Sequence, residues 1–248
     1  MFERDPAATN SRKGSRLSLC VMKKVAVIVA GGTGTRMQSD RPKQFLSLLE
    51  TPILVHTLRA FKKAYADIKL IVVLPAIHFN EGKEIVSTFF NAPVEFVEGG
   101  ETRFHSVKNG LALVNEQAVV FVHDAVRCLL SPSLITRCFE QAQQKGSAIP
   151  VIAAKDSIRL VTATGNQSLN REQVMLVQTP QVFLSDWILP AFEVTYESSF
   201  TDEASVVEKS GRPIHLIAGE VSNIKITEPV DLLIAEQWLS GLSQSPTV

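Results

Sequence analysis

The residues able to do chemistry are a few cations and one carboxylate, spaced around short glycine loops. Residues 23–44 read KKVAVIVAGGTGTRMQSDRPKQ. Within them Gly31, Gly32 and Gly34 form a loop without bulky side chains, and Arg36, Arg41 and Lys43 follow closely. Such a loop lets backbone N–H groups approach a ligand, and successive N–H groups make an anion-binding concavity. Glycines beside clustered cations predict a polyphosphate site. A structural tight turn would explain the glycines alone, but it has no need of Arg36 and Lys43.

Other glycine loops fit less well. A dinucleotide fingerprint needs a third glycine where Met37 stands after Gly32-Thr33-Gly34, and no acid follows Leu70–Leu74 to hold a ribose. The P-loop pattern is absent, since no lysine directly follows these glycines. Farther on, Asp124 follows the apolar run Val119–Val122. A carboxylate at a strand's carboxyl end, facing polyphosphate, can hold Mg²⁺ directly or through water; a helix N-cap is the plainer alternative. Arg127 could pair with Asp124 or with phosphate, and the sequence does not choose. Lys225, inside the apolar strand pattern Asn223–Ile226, would cost stability without a counter-ion. It is the second candidate, after Lys43, for a phosphate-binding cation. Thr179, in Gln178-Thr179-Pro180-Gln181, is a candidate hydroxyl donor to substrate. Zinc is not expected, because only His123 and Asp124 lie close together. No G-x-S-x-G nucleophile elbow exists.

Taken in order, these motifs resemble the sugar-phosphate and polyol-phosphate cytidylyltransferases. The resemblance is carried by AGGTGTRM with PKQ, by Gly99-Gly100 with Arg103 and Ser106, and by HDAVR (123–127), QTPQ (178–181), TDEAS (201–205) and NIK (223–225). It covers about 22–240, and it implies a Rossmann-like nucleotidyltransferase acting on CTP and a sugar or polyol phosphate with Mg²⁺ or another divalent cation. By the same resemblance Ala30, Gly31, Gly32, Gly34, Gly100, Glu101 and Ser106 bind the nucleotide, and Arg36, Lys43 and Lys225 are catalytic. Asp124, Ser157, Arg171, Thr179 and Thr201 would meet the acceptor, with Asp124 also at the metal. A protruding arm at about 154–173 would clasp a second subunit, so that Ser157 and Arg171 enter the partner's site. TDEAS favours the branch whose acceptor is 2-C-methyl-D-erythritol 4-phosphate, in non-mevalonate isoprenoid precursor synthesis, over the ribitol 5-phosphate branch. Two positions depart from the pattern: Cys128 replaces a usual proline, and Ser157 a usual threonine. A non-catalytic nucleotide-binding dimer would keep the glycines, yet has little reason to keep Arg36, Lys43, Asp124 and Lys225 together.

Composition sets the outer bounds. The 248 residues hold 25 Lys+Arg and 25 Asp+Glu, so bulk charge gives no reason to expect nucleic acid. With 45% hydrophobic residues the chain can bury a sizeable core, and no apolar run approaches a membrane span. Cys20, Cys128 and Cys138 form no metal-spaced pair, which suits reduced thiols in a cytoplasmic protein. Residues 1–22 are polar and carry an excess of cations; they read as a disordered tail, with Met22 as an alternative start. A single domain is expected over 23–240, with a C-terminal tail at 241–248.

The elements that must position these residues follow from periodicity. Val25–Ala30, Leu70–Leu74, Val94–Val97 and Val119–Val122 are short apolar runs closed by turn residues, the pattern of buried strands. Helices are predicted after Pro52 and at about 79–90, 104–114, 133–145, 185–196 and 229–238. Alternation of this kind predicts an α/β fold with a doubly wound, mostly parallel sheet, and ligands bind beyond the carboxyl ends of its strands. Ser147–Val151, Val174–Val177, His215–Ile217 and Asn223–Ile226 are further strand candidates. Residues 155–171 read as a polar hairpin turning at Gly165-Asn166.

Overall fold

The computed structural model describes residues 22–32 and 41–243. Gly34 and Arg36, both expected at the phosphates, lie outside the described residues, as do residues 1–21 and 244–248.

The chain runs β1 (Lys23–Val29), β2 (Ser47–Leu48), β3 (Thr51–Pro52), α1 (Ile53–Ala64), β4 (Lys69–Leu74), α2 (Phe79–Phe89), β5 (Glu95–Glu98) and α3 (Arg103–Leu111). There follow β6 (Ala118–Asp124), α4 (Pro132–Lys145), β7 (Ser147–Ala153), β8 (Ile158–Thr162), β9 (Gly165–Leu169), β10 (Met175–Val177) and β11 (Gln181–Leu184). The last elements are α5 (Ser185–Ala191), α6 (Glu203–Lys209), β12 (Leu216–Ala218) and α7 (Pro229–Ser243).

Eight strands form one sheet in the order β10-β7-β11-β6-β1-β4-β5, with β12 also on β7. Strands β6, β1, β4 and β5 are mutually parallel, whereas β11 runs antiparallel between β6 and β7. The period of two sorts the strands into two cores. Ala26, Ile28, Leu70, Val72 and Phe121 face α1, α2 and α4, while Val25, Val27, Ile71, Val73 and Val120 face α3, α5 and α6. Helices thus cover both faces, as a near-continuous apolar strand requires.

The chain winds from β1 outward through β4 to β5, then returns to β6 on the other side of β1. That reversal opens a crevice beyond the carboxyl ends of β1 and β6, the usual ligand position in such sheets. Val29 is level with Asp124 across the two strands. Both candidate motifs therefore emerge at one rim.

Close packing of α3 on the sheet depends on Gly110, where an added Cβ would sit 2.5 Å from Val27 and 2.9 Å from Val73. Gly110→Ala should cost about 1–3 kcal/mol through overpacking, read from the urea unfolding midpoint. An unchanged midpoint would mean that the helix can shift freely.

Several expectations need correction. Asn223–Ile226 is not a strand: Ile226 N–H donates to Val126 O at 3.0 Å and Asn223 N–H to Glu220 O at 3.0 Å, so its backbone is spent on loops. The hairpin turns at residues 163–164, one step before Gly165-Asn166, because Gly165 pairs with Thr162 and Asn166 with Val161. Helix α5 stops at Ala191 rather than about 196, with Pro190 in its last turn, and α7 continues to Ser243. Strand β11 was not expected from the sequence. Helix α4 lies within a residue of the expected 133–145; Ser131 caps its first turn, and Gly146 closes the last at φ 89°.

Candidate active site

A cavity of about 340 Å³ lies at the rim defined by β1 and β6. One wall is the loop Ala30–Gly32, fixed from below by Gln44, whose Nε2 donates to Ala30 O at 2.7 Å. Gln44 is 1% exposed and Phe45 is in the core. The short 3₁₀ turn Lys43–Phe45 therefore presents Lys43 to the cavity from an anchored base. Opposite stand Gly100, Glu101 and Ser106, at the start of α3. Ser106 Oγ accepts from Gly100 N–H at 3.1 Å, and a Cβ on Gly99 would sit 2.9 Å from that oxygen. Glycine at 99 is needed so that the loop can close on Ser106.

Asp124 and Lys225 form the floor. Lys225 Nζ lies 2.9 Å from Asp124 Oδ2, although 101 positions separate the two residues in sequence. Arg103 Nη2 is 3.2 Å from Asp124 Oδ1, and Arg127 Nε is 3.7 Å from Oδ2. Arg103 also grips Glu203 through Nη1 and, at 3.2 Å, through Nη2. Burial pushes the Asp124 carboxyl up, but Arg103, Lys225 and Arg127 outweigh it and hold the group well below the usual carboxylate range. Glu203 differs: burial lifts it against the pull of Arg103. Burial likewise pushes His123 down to about 3, so the ring is neutral.

Asp124 is thus held in its ionised form at neutral pH. A carboxylate depressed in the folded state stabilises above its unfolded value, and the contribution fades as pH falls toward the folded value. The stability lost in Asp124→Asn should stay constant from about pH 8 to about pH 5 and shrink only below about pH 4. Urea midpoints of both proteins across that range are the check. A gap closing near neutrality would contradict it.

The expected residues Ala30, Gly31, Gly32, Lys43, Gly100, Glu101, Ser106, Asp124 and Lys225 meet around this one cavity. Thr179 does not line it. It is 5% exposed, its Oγ1 accepts from Asp124 N–H at 3.1 Å and lies 3.0 Å from His123 Nδ1. It holds Asp124 from beneath rather than facing a substrate. Thr201 lines a smaller neighbouring cavity beside Phe104 and Phe200, and its neighbour Asp202 caps α6. Ser157 and Arg171 sit on the exposed arm, where Arg171 Nη1 donates to Lys155 O at 2.8 Å. The ion-pair role of Arg103 and Glu203 was not foreseen, since nothing local in TDEAS ties its glutamate to an arginine 100 positions earlier.

No group of three or more His, Cys, Asp or Glu side chains converges among the described residues. A hard cation such as Mg²⁺ commonly takes one or two carboxylates and completes its shell with substrate phosphates and water. Asp124 and Glu101 line a cavity otherwise made of amides and cations, a donor set that fits that mode.

Comparison with known proteins decides the family. The model for IspD, 2-C-methyl-D-erythritol 4-phosphate cytidylyltransferase, matches residues 24–241. The chain belongs to this family. A cytidylyltransferase of that name from Bacteroides thetaiotaomicron is 45% identical over 219 residues, covering 88% of this chain and 100% of the relative. A bifunctional enzyme IspD/IspF from Desulfotalea psychrophila is 40% identical over 88% of this chain and 57% of its own length. Among solved structures, the cytidylyltransferase of Thermus thermophilus superposes with a TM-score of 0.70 at 31% identity, covering 88% of this chain and all of that one. The 4-diphosphocytidyl-2C-methyl-D-erythritol synthase of Anaerococcus prevotii gives 0.76 at 25% identity, over 88% and 96%. The cytidylyltransferase family's mostly parallel sheet with flanking helices is the architecture described above.

Proposed function

We propose that this chain transfers CMP from CTP to 2-C-methyl-D-erythritol 4-phosphate, releasing pyrophosphate and supplying an isoprenoid precursor. The observation that carries the reading is the meeting of Lys43 and Lys225, from opposite ends of the chain, at one cavity walled by the Ala30–Gly32 loop. In the reaction an acceptor phosphate oxygen bonds to the α-phosphorus of CTP, and the bond from that phosphorus to the bridging α–β oxygen breaks. The nucleophile is already an anion, so no general base is required. That agrees with a neutral, fully buried His123 and with a Cys128 thiol that burial pushes up to about 12.

What opposes reaction is repulsion between phosphates and charge gathering on the α-phosphate oxygens; positioning and fixed positive charge address both. The Ala30–Gly32 amides and Lys43 hold the triphosphate, with Arg36 assigned beside them by family resemblance alone. Lys225 turns from Asp124 to the incoming phosphate. The Gly100 backbone and Ser106 read the cytosine edge. Asp124 is the residue that would hold Mg²⁺, which would supply further charge neutralisation.

The arm exposes Leu160 and Val161, and the adjoining β10 exposes Met175, Leu176 and Val177. Cover for these residues, and a task for Ser157 and Arg171, both follow if the arm enters the cavity of a second copy in a homodimer. No helix among the described residues is long and apolar enough to cross a membrane, and a cytoplasmic setting suits the unpaired, buried Cys128 and Cys138. Pyrophosphate release from CTP, with methylerythritol phosphate and ribitol 5-phosphate offered separately, tests the reading. Release is expected with the first acceptor. Release only with the second would move the chain to the other branch.

A further inference from the structure

We propose that Gln178 and Asn223 are positioning residues that aim the Lys225 amine. This rests on the reading of Lys225 as the phosphate-binding lysine. Neither residue lines the cavity, and they are 4% and 0% exposed. Gln178 spans the turn before Lys225 with both ends of its amide. Its Nε2 donates to Glu220 O at 2.7 Å and to Asn223 O at 3.3 Å, while its Oε1 accepts from Glu220 N–H at 3.1 Å. Asn223 Nδ2 donates to Thr179 O at 2.8 Å, and Arg127 Nη1 donates to Asn223 O at 2.9 Å.

The segment bearing Lys225 belongs to no strand, so no sheet ladder fixes it. It is held instead at Asn223, two residues before the lysine, and at Ile226, one residue after it. Both anchors lead to the surroundings of Asp124: Thr179 Oγ1 accepts from Asp124 N–H, and Val126 O, two residues after Asp124, accepts from Ile226 N–H. Lysine and carboxylate therefore share one buried amide frame. Two details set this frame apart from ordinary packing. Asn223 Oδ1 is buried without a hydrogen-bond partner, so only the donor end of the amide is used, at a cost in stability. A Cβ at Gly219 would sit 2.4 Å from Gln178 Oε1, so this position is left bare for the amide to close on the turn.

The test is steady-state kinetics of the full chain carrying Gln178→Met or Asn223→Leu, each in the wild-type and Lys225→Ala backgrounds, with thermal unfolding followed in parallel. Gln178→Met keeps length without the hydrogen bonds, and Asn223→Leu keeps shape while losing the donor and adding no charge. Each should lower kcat by roughly 10–100-fold, the scale of a misplaced catalytic group, with KM for CTP within about twofold. Neither should lower it further once Lys225 is alanine. A purely structural role predicts the same fold-loss in both backgrounds, and that result would overturn the proposal, as would near-normal kcat in folded variants. Full turnover by Lys225→Ala itself would remove the lysine's role and this inference with it. Loss in Lys225→Ala without coupling would overturn this inference alone.

Discussion

Lys43→Ala should lower kcat by about 10²–10³-fold, the usual consequence of removing one well-placed donor from a charge-stabilising site. Folding should remain intact, because the neighbours anchor the turn. Gln44 is tied to Ala30 O, and Phe45 is fully buried. Only the side chain facing the cavity is removed. The expected pattern is a fall in kcat and kcat/KM together, as for an interaction made mainly in the transition state. Single-turnover pyrophosphate release and far-ultraviolet circular dichroism, measured side by side, check both halves. A folded variant with near-normal turnover would take Lys43 out of the mechanism.

The largest effect on stability should come from Arg103. This guanidinium lies between two carboxylates, Asp124 and Glu203, whose side chains are 9% and 1% exposed. Arg103→Met leaves Glu203 buried without its cation and removes one of the three partners of Asp124. Breaking a buried pair from one side commonly costs about 3–5 kcal/mol, and the lower figure is expected because Arg103 itself keeps 31% exposure. Pairing the change with Glu203→Gln should recover part of the loss, since the stranded charge is removed. Urea denaturation of the single and double variants reads both. No loss in the single variant would show that Glu203 is folded in its protonated form, requiring no cation.

The central strands and the cavity were legible in the sequence because both depend on local signals. Short apolar runs closed by glycine, proline or aspartate gave β1, β4 and β6 to within two residues, and a parallel sheet with one reversal has one favoured crevice. The motifs at the strand ends had to meet there. What stayed hidden depends on distant partners. Asn223–Ile226 has a strand's composition, but its backbone hydrogen-bonds to loops instead, Ile226 N–H to Val126 O and Asn223 N–H to Glu220 O. Thr179 looked like a substrate ligand because a hydroxyl beside proline in a loop carries no mark of burial; Asp124 N–H and His123 claim it. Strand β11 ends at Leu184 and α5 begins at Ser185, so no loop separates the two periods and nothing marks the run off from the helix. The Arg103–Glu203 pair joins two motifs that are each explicable alone, the first as a helix start and the second as an acidic first turn.

The most direct measurement is a crystal structure of the chain with CTP and Mg²⁺. The predicted result has the triphosphate over the Ala30–Gly32 amides, the Lys43 amine within about 3 Å of a phosphate oxygen, and Lys225 on the same side of the α-phosphorus. A nucleotide bound elsewhere, or one whose phosphates point away from both amines, would contradict the account.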